Sequence, residues 1–154
     1  MSNFFEAGKA AMTSERDDWE TPQALFDKLD SIYHFTLDPC STHENAKCAK
    51  HYTIEENGLA QSWKGERVFC NPPYGRNIGS WVKKCAEESS GALVVMLIPA
   101  RTDTAYFHDY IYRKAHIDFL RGRLKFERGG VGLQSAPFPS MIVRWDCANE
   151  QSNI

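Results

Sequence analysis

The sequence predicts an α/β fold, in which helices flank a mostly parallel sheet and an antiparallel hairpin closes the carboxyl end. Short apolar strands alternate with amphipathic helical segments from residue 19 onward, an alternation typical of parallel sheets covered by helices. The segment Ala92–Ile98 is continuously apolar, as strands buried on both faces are. With 154 residues the chain fits one domain. We expect that domain at residues 19–146, between a flexible arm at 1–18 and a tail at 147–154.

The first elements lead to a carboxylate at the end of a strand. Thr21 suits an N-cap and Pro22 suits the first helical position, and an apolar stripe at helical spacing predicts a helix that ends near His34. Phe35–Leu37 is a short apolar strand, which Asp38-Pro39 ends because proline cannot continue a ladder. The stripe consists of Leu25, Phe26, Leu29, Ile32 and Tyr33.

The middle of the chain places a proline-rich turn directly after another strand. A helical turn over Glu44–Ala49 and a weak strand at His51–Thr53 precede an Asn-Gly turn. Val68–Cys70 is apolar and runs into Asn71-Pro72-Pro73-Tyr74-Gly75, where two prolines end the pairing. Apolar residues at helical spacing then predict a helix, and they are Ile78, Trp81, Val82 and Cys85.

The second half of the chain predicts one helix and the closing hairpin. We expect a helix over Thr102–Lys114 and strands at His116–Leu120 and Ser140–Trp145, with a mobile glycine-rich connection around Gly129-Gly130. Ligands of open α/β sheets bind outside the carboxyl ends of the strands. The residues that follow such ends, and so mark the expected site, are Asp38, Asn71 and Arg101.

Composition excludes several classes of protein. Hydrophobic residues at 42% and charged residues at 25% are ordinary for a globular chain and unlike a disordered or coiled-coil one. The apolar run Ala92–Ile98 is too short to span a bilayer, so no membrane partner is expected. No basic stretch followed by an apolar one opens the chain, so no secretory signal is expected. Five scattered cysteines suit free thiols in a reducing compartment, which predicts a cytoplasmic protein.

Charge is unevenly distributed along the chain, although the net charge is −2. Residues 1–66 carry 6 basic and 12 acidic side chains, a net of −6, whereas residues 67–154 carry 12 and 8, a net of +4. A phosphate-binding face in the second half would explain this imbalance, and so would an ordinary solvated surface. The candidate contacts to a nucleic-acid backbone are Arg101, Arg121, Arg123, Lys125 and Arg128.

The turn Asn71-Pro72-Pro73-Tyr74 has a specific chemical use. The lone pair of an exocyclic amine on a base is delocalised into the ring, and two acceptors that pull on its two N–H groups would localise it. The Asn71 side-chain oxygen and the Pro72 carbonyl can supply these acceptors, which the prolines hold rigidly. Tyr74 offers an aromatic face on which an extruded base can stack. We therefore predict that Asn71, Pro72, Pro73 and Tyr74 are catalytic, with no metal and no covalent nucleophile.

Several motifs in order carry a family resemblance. They are Asp18-Trp19-Glu20-Thr21-Pro22, Leu37-Asp38-Pro39-Cys40, Asn57-Gly58-Leu59 followed by Trp63, Asn71-Pro72-Pro73-Tyr74-Gly75, Trp81-Val82, Pro99-Ala100-Arg101-Thr102-Asp103-Thr104, Gly122-Arg123-Leu124-Lys125-Phe126 and Ala136-Pro137-Phe138-Pro139-Ser140. Over roughly residues 17–145 the chain thus resembles the small phage-type DNA N6-adenine methyltransferases of the Dam-like group.

The resemblance implies an abbreviated Rossmann-like methyltransferase fold that uses S-adenosylmethionine to methylate the N6 amino group of adenine in double-stranded DNA. It makes Asn71–Tyr74 the catalytic loop. It places Asp38 where the donor-binding first strand ends, Asn57-Gly58-Leu59 against the donor's adenine and Thr21-Pro22 against its methionine part. It also implies a phage or prophage protein that modifies DNA in the bacterial cytoplasm. The implied cofactor-binding residues are Trp19, Thr21, Pro22, Asp38, Pro39, Cys40, Asn57, Gly58, Leu59 and Asn71.

Two features depart from the family pattern. Asp38-Pro39-Cys40-Ser41 replaces the glycine-rich turn that usually follows the first strand, so donor binding must rely on other contacts. Asn57 stands where an aspartate more usually reads the donor's amino group, and an asparagine oxygen can accept the same bond. No stretch is long enough for a separate target-recognition domain. Specificity for a DNA sequence must then come from loops or from the second subunit of a homodimer, or the protein must have low sequence specificity.

Two other functions fit the sequence. The Asn-Pro-Pro-Tyr turn would serve any planar amine, including cytosine N4 and a protein glutamine amide. A non-enzymatic nucleic-acid-binding module is the second, with zinc as a possible stabiliser, because Cys40, His43, Cys48 and His51 are of the right ligand types. Their spacing is not that of a usual zinc finger. Pro39-Cys40 also suggests the nucleophile of cytosine C5 methyltransferases, but no partner motif accompanies it.

Overall fold

The computed structural model describes residues 19–146, so the predicted arm at 1–18 and tail at 147–154 lie outside the described residues. Within this range the α-helices are α1 (Gln23–Tyr33) and α2 (Ile78–Glu88). A 3₁₀ turn spans Gly58–Ala60 and a π-helical turn spans Phe107–Ile111. The strands are β1 (Arg67–Cys70), β2 (Leu93–Pro99), β3 (His116–Phe119), β4 (Glu127–Arg128), β5 (Val131–Gly132) and β6 (Ser140–Trp145).

Four strands form the main sheet, in the order β1-β2-β6-β3. β1 pairs with β2 in parallel, and β6 is antiparallel to both β2 and β3. β1, β2 and β3 therefore run in one direction. An isolated parallel bridge between Leu37 and Val68 continues the sheet beyond β1. The α/β class and the antiparallel pairing at the carboxyl end are confirmed, but the pairing is mixed rather than mostly parallel because β6 lies between β2 and β3.

β2 is the centre of the hydrophobic core. Its residues from Val94 to Pro99 are all buried, as a continuous apolar run predicts. Helix α2 buries Trp81, Val82 and Cys85, and Phe26 of α1 packs with a ring-centroid distance of 5.3 Å against Phe69 of β1. Complete burial of such a side chain stabilises the fold by about 1.5–3 kcal/mol. This packing fixes the position of the carboxyl end of β1.

Helix α1 begins one residue later than predicted. Pro22 is its N-cap and no side chain at that position caps the helix. Thr21, the predicted cap, instead accepts a hydrogen bond from the Asn71 side chain. The N–H of Gln23 donates at 2.7 Å to the carboxylate of Glu127, so a residue 104 positions away caps the first turn. Such a long-range cap has no local signal in the sequence.

The chain between Phe35 and Thr53 forms a loop with two bridges, whereas a strand, a helical turn and a weak strand were predicted. Leu37 bridges Val68, and Asp38 bridges His51. Residues 43–45 form a turn and residues 47–50 form bends. The Thr42 and Asn45 side chains each accept a hydrogen bond from the other residue's N–H. Such local bonds compete with helix formation.

The predicted helix over Thr102–Lys114 is much shorter in the structure. Only residues 105–111 are helical, and Phe107–Ile111 is wound as a π-helical turn. The winding ends at Tyr112, whose backbone is extended with φ of −60° and ψ of 122°, and Arg113 follows in a left-handed conformation with φ of 63°. The apolar stripe of α1 is also narrower than predicted, because Ile32, which the stripe included, is 60% exposed. No helix among residues 19–146 is long and apolar enough to cross a membrane.

The glycine-rich connection contains a hairpin that the sequence analysis missed. β4 and β5 pair antiparallel, and Gly129 and Gly130 form the turn with φ of 60° and 81°. Positive φ at both central residues suits a two-residue hairpin, and glycine adopts it without strain. Glu20 bridges Glu127 on β4. Residues 127–132 of the predicted connection therefore form regular structure, whereas residues 121–126 and 133–139 lie outside strands and helices.

Candidate active site

A cavity of about 540 Å³ lies where the chain leaves the Leu37 bridge and the end of β1. Nine of the ten residues predicted to bind the cofactor line it, and Pro22 is the exception. Pro72 and Pro73 line it as well, so the predicted catalytic turn and the predicted cofactor residues share one cavity. The nine residues are Trp19, Thr21, Asp38, Pro39, Cys40, Asn57, Gly58, Leu59 and Asn71.

Asp38 shapes the first wall of this cavity. Its side chain is buried. One carboxylate oxygen accepts a hydrogen bond from the N–H of Cys40 at 3.2 Å, and the other accepts one from the N–H of Lys47 at 2.9 Å. Burial raises the pKa of this carboxyl, and the two backbone hydrogen bonds oppose the shift. Because both oxygens bind the backbone, Asp38 fixes the loop that curves around the cavity.

Gly58 allows two walls of the cavity to approach each other. A Cβ at this position would lie 2.1 Å from the carbonyl oxygen of Pro39 and 3.2 Å from the Trp81 ring. The preceding Asn57 has a left-handed φ of 57°. The Trp63 indole N–H donates to the Gly58 carbonyl at 3.0 Å inside the core. Only glycine permits this approach, so the Asn-Gly turn that the sequence marks is a structural requirement of the cavity.

Asn71 has both ends of its side-chain amide engaged. Nδ2 donates to the carbonyl oxygen of Trp19 at 3.1 Å and to the hydroxyl of Thr21 at 3.0 Å. Oδ1 accepts a hydrogen bond from the Tyr74 hydroxyl at 2.5 Å. An amide oxygen has two lone pairs, so Oδ1 can accept a second bond. The oxygen that the sequence assigns to the acceptor amine is thus held in one orientation.

Tyr74 is not the open aromatic platform that the sequence predicts. Its side chain is 6% exposed, and its ring makes edge-to-face contacts with Trp19, Phe126 and Phe138 at centroid distances of 6.0, 6.0 and 5.7 Å. Its hydroxyl also lies 3.1 Å from the Leu97 carbonyl of β2. Burial raises the pKa of the phenol well above its usual value, so the hydroxyl stays a donor at neutral pH. In this conformation Tyr74 presents its hydroxyl to Asn71 rather than its ring to a base.

The lining of the cavity carries more acidic than basic side chains. Four of the described lining residues are carboxylates and one is a lysine, Lys47, whose Nζ donates to the Gln23 side chain at 2.7 Å. Leu59, Phe69 and Trp81 supply an apolar part of the wall. The cavity therefore suits a ligand that combines positive charge with a flat apolar group. The carboxylates are Glu20, Asp38, Glu44 and Glu55.

Part of this lining was not predicted from the sequence. Ser41–Asn45 and Tyr52–Glu55 line the cavity because the bridge between Asp38 and His51 brings the two segments together. Both segments follow or adjoin the end of the first predicted strand, which is the position where open α/β sheets bind ligands. That rule could have identified them. Trp81 packs in the core, yet it also lines the cavity.

The β4-β5 hairpin is joined to the segment that contacts Asn71. The N–H and the carbonyl of Glu20 both bond to the backbone of Glu127 at 3.0 Å, and the Glu20 carboxylate accepts a bond from the N–H of Gly129 at 3.2 Å. Trp19 stacks on Phe138 at a centroid distance of 4.8 Å.

The side chains predicted to contact nucleic acid are all exposed, and they lie outside the cavity lining. They are Arg101, Arg121, Arg123, Lys125 and Arg128.

The four zinc-ligand candidates do not form a metal site. Among residues 19–146, no group of three or more His, Cys, Asp or Glu side chains could hold a metal ion. His43 Nδ1 and His51 Nε2 lie 2.8 Å apart, but the cysteines do not complete a site with them. Burial raises the pKa of Cys48 to about 12, so its thiol is protonated at neutral pH. The structure gives no support to a zinc-stabilised module.

An α/β domain with an Asn-Pro-Pro-Tyr turn at a strand-end cavity fits the class of amino-group methyltransferases, and comparison with known proteins gives the family. The family described as DNA N-6-adenine-methyltransferase (Dam) matches residues 8–153. This chain belongs to the Dam family, as its motifs predicted.

Two curated proteins are similar to this chain in sequence. A DNA N-6-adenine-methyltransferase of Escherichia phage T1 is 35% identical over 112 residues, which are 71% of this chain and 47% of the phage protein. A protein of Escherichia coli strain K12 named "Putative methyltransferase YfdM" is 41% identical over 66 residues, which are 38% of this chain and 71% of that protein. The chain spans about half the length of the phage T1 relative.

Proposed function

We propose that this chain transfers the methyl group of S-adenosylmethionine to the N6 amino group of adenine in DNA. The observation that carries the proposal is the position of Asn71, whose side chain lines the cavity and whose amide is held by three hydrogen bonds. Membership of the Dam family supports adenine N6 as the acceptor. The phage origin of one relative favours the bacterial cytoplasm as the place of the reaction.

The cavity fits S-adenosylmethionine in size and in charge. Its volume of about 540 Å³ is typical of small-molecule sites. The cofactor carries a sulfonium, an ammonium and a carboxylate group, which matches an acidic lining with a single lysine. Within the proposal, Leu59 and Trp81 contact its adenine, Asn57 accepts a bond from the adenine amino group, and Lys47 binds its carboxylate. When bound, the cofactor supplies an electrophilic methyl group.

Asn71 and Pro72 act on the acceptor amine in this proposal. The Asn71 side-chain oxygen and the Pro72 carbonyl each accept one N–H of the amine, which localises the lone pair of the nitrogen. The two prolines fix that carbonyl because their φ angles are locked. Acceptors that are already in place when positive charge develops on the nitrogen stabilise the transition state without reorganisation. The site needs no covalent intermediate for this step.

We also infer that the domain is an abbreviated Rossmann-like methyltransferase fold. Three of the four strands in the main sheet run in one direction, and the Leu37 bridge adds a parallel neighbour at β1. The cavity lies at the carboxyl ends of the parallel segments, as ligand sites of doubly wound sheets do. The missing glycine-rich turn is compensated by the close approach of Gly58 to Pro39.

Cys40 provides a chemical probe of the cofactor site. It is partly exposed and lines the cavity, whereas Cys70 and Cys85 are buried and Cys48 has its pKa raised to about 12. In a Cys147→Ser background we expect N-ethylmaleimide to label Cys40 first, and saturating S-adenosylmethionine to slow that labelling by about tenfold or more. Peptide mass spectrometry follows the modified site. Equal labelling rates with and without the cofactor would move the cofactor site away from Cys40.

The exposed cations near the hairpin are proposed to bind the DNA backbone. Because each phosphate contact releases counterions, removing one lowers the log–log salt slope of binding by about 0.9 on duplex DNA. We expect the triple variant Arg121→Gln, Lys125→Gln, Arg128→Gln to lose up to about 2.7 of that slope. A fluorescent duplex titrated at several salt concentrations measures it. A homodimer would extend this contact surface beyond one chain.

A charge-matched variant controls for the loss of net charge. Lys28→Gln, Lys64→Gln, Lys83→Gln removes three exposed cations from other elements of the described domain, and we expect its salt slope to stay close to that of the parent. An unaltered slope in the hairpin variant, with an unchanged unfolding temperature, would remove this loop from the DNA interface.

Transfer of label from tritiated S-adenosylmethionine to a panel of defined duplexes tests the proposed function. We expect tritium in adenine-containing duplex DNA. Calorimetry on the same preparation separates the alternatives. Cofactor binding without transfer to any DNA would point to another planar amine, such as a protein glutamine amide. A folded protein that does not bind the cofactor would favour the non-enzymatic nucleic-acid-binding module.

A further inference from the structure

The residues around Asn71 distinguish an amide from a carboxylate. The carbonyl oxygen of Trp19 can only accept a hydrogen bond, and it lies 3.1 Å from Nδ2 of Asn71. The group that faces it must therefore be a donor. The Tyr74 hydroxyl donates from the opposite side to Oδ1. An aspartate at position 71 would place a carboxylate oxygen against the Trp19 carbonyl, where two acceptors repel each other.

Thr21 is the side chain that completes this arrangement. It is 2% exposed, and its hydroxyl accepts the second bond from Nδ2 at 3.0 Å. Residues 19–21, which we call the N-terminal strap, are fixed from the other side because Glu20 forms two backbone bonds with Glu127. The strap thus connects the β4-β5 hairpin to the predicted catalytic turn. Its geometry makes the hydroxyl and the carbonyl a matched pair of acceptors for one NH₂ group.

We propose that Thr21 is a positioning residue for Asn71, and that the N-terminal strap makes position 71 selective for asparagine. This inference rests on the proposed function. If the amide rotated by half a turn, Nδ2 would face the acceptor amine, and two donors would oppose each other. With the NH₂ group held by Trp19 and Thr21, Oδ1 remains the atom that can accept a bond from the amine. The role differs from contact with the methionine part of the donor, which the family resemblance assigns to Thr21.

Kinetics of three threonine variants separate these roles. Thr21→Val is isosteric and removes the acceptor, so we expect kcat to fall about tenfold while the S-adenosylmethionine Kd changes by less than about twofold. Thr21→Ser keeps the hydroxyl and should restore most of kcat. Thr36→Val is the control, because the Thr36 hydroxyl likewise accepts a hydrogen bond, from the N–H of Arg67, but Thr36 lies outside the cavity lining. A Thr21→Val variant with normal kcat and a weakened cofactor Kd would overturn the positioning role.

Asn71→Asp tests the selectivity of the strap directly. Aspartate keeps two acceptor oxygens, so a site that needs only an acceptor would tolerate it. Since one of those oxygens would face the Trp19 carbonyl, we expect kcat to fall by about tenfold or more, with the cofactor Kd nearly unchanged. A fully active Asn71→Asp variant would overturn the inference.

Side-chain amide NMR of ¹⁵N-labelled protein gives a readout that does not depend on activity. The Asn71 NH₂ resonances are those that disappear in Asn71→Asp. We expect Thr21→Val to shift them and Thr36→Val to leave them in place. Unchanged Asn71 resonances in Thr21→Val would overturn the inference even in an active enzyme. If the parent protein transfers no methyl group to DNA, the proposed function fails, and the NMR comparison still decides whether Thr21 holds Asn71.

Discussion

The Asn71→Ala variant is expected to lose methyl transfer by about 10²-fold or more, while S-adenosylmethionine binds with nearly unchanged affinity. Alanine removes the oxygen that is proposed to accept one N–H of the target amine. It also removes the partner of the Tyr74 hydroxyl and of the N-terminal strap. The loss should therefore fall on kcat. Single-turnover rates and calorimetric cofactor affinity measure the two quantities separately.

A matched truncation controls for the loss of a hydrogen-bonded side-chain amide. The Gln61 side chain donates to the backbone carbonyl of Glu56 at 2.7 Å, and Gln61 does not line the cavity. Gln61→Ala should therefore methylate DNA at close to the parent rate. The unfolding temperatures of both variants show whether the fold is intact. An Asn71→Ala variant that methylates DNA as fast as the parent would show that the catalytic assignment is wrong.

Gly58→Ala adds one methyl group to the cavity wall, and we expect it to lower both the stability of the protein and its affinity for the cofactor. The new Cβ would meet the Pro39 carbonyl oxygen at 2.1 Å, and this atom belongs to backbone that must move. Inserting a methyl group into a packed site costs about 1–3 kcal/mol in the free energy of unfolding. Displacing Pro39 also reshapes the proposed cofactor site, so we expect the S-adenosylmethionine Kd to rise by about tenfold or more.

Gly79→Ala is the matched control for this substitution. Gly79 lies in α2, where a Cβ would make ordinary contacts with Tyr106 at 3.7 Å. Alanine is favoured over glycine in the middle of a helix by about 0.5–1 kcal/mol. Because Gly79 lies in the first turn of α2, the gain should be smaller, and this variant should be about as stable as the parent. Chemical denaturation and calorimetry compare the two. If Gly58→Ala binds the cofactor as tightly as Gly79→Ala does, the wall formed by Pro39 and Gly58 is not part of the cofactor site.

The elements predicted correctly are those whose signal is local. The predictions of Val68–Cys70, Ala92–Ile98 and the helix after the Asn-Pro-Pro turn rest on short apolar runs or on helical spacing, and the structure has β1 at Arg67–Cys70, β2 at Leu93–Pro99 and α2 in these places. The errors arise where distant residues decide the structure. Glu127 caps α1 and pairs with Glu20, and neither contact leaves a pattern in the nearby sequence. The insertion of β6 between β2 and β3 likewise depends on pairing between residues that are far apart in the sequence.

In the candidate site, too, features with a local sequence signal were predicted and features that depend on distant residues were not. Asp38 and the Asn-Pro-Pro turn were predicted at the cavity because each follows a strand, and strand ends gather at one edge of the sheet. The family resemblance, not the strand-end rule, placed Asn57-Gly58 there. The strand-end rule also predicted Arg101 at this edge, but Arg101 lies outside the cavity lining. The orientation of Tyr74 could not be predicted. Its ring is buried because Asn71 and Leu97 both offer acceptors to its hydroxyl, and three aromatic side chains surround it. These contacts depend on the completed fold.

Nucleoside analysis of DNA after reaction tests the central claim most directly. Duplex DNA from a host that lacks adenine methylation is incubated with the protein and S-adenosylmethionine carrying a deuterated methyl group, then digested and separated by mass spectrometry. We expect deuterated N6-methyladenine with the parent protein and almost none with Asn71→Ala. Deuterated N4-methylcytosine in place of N6-methyladenine, or equal N6-methyladenine from both proteins, would contradict the proposed function or the role of Asn71, respectively.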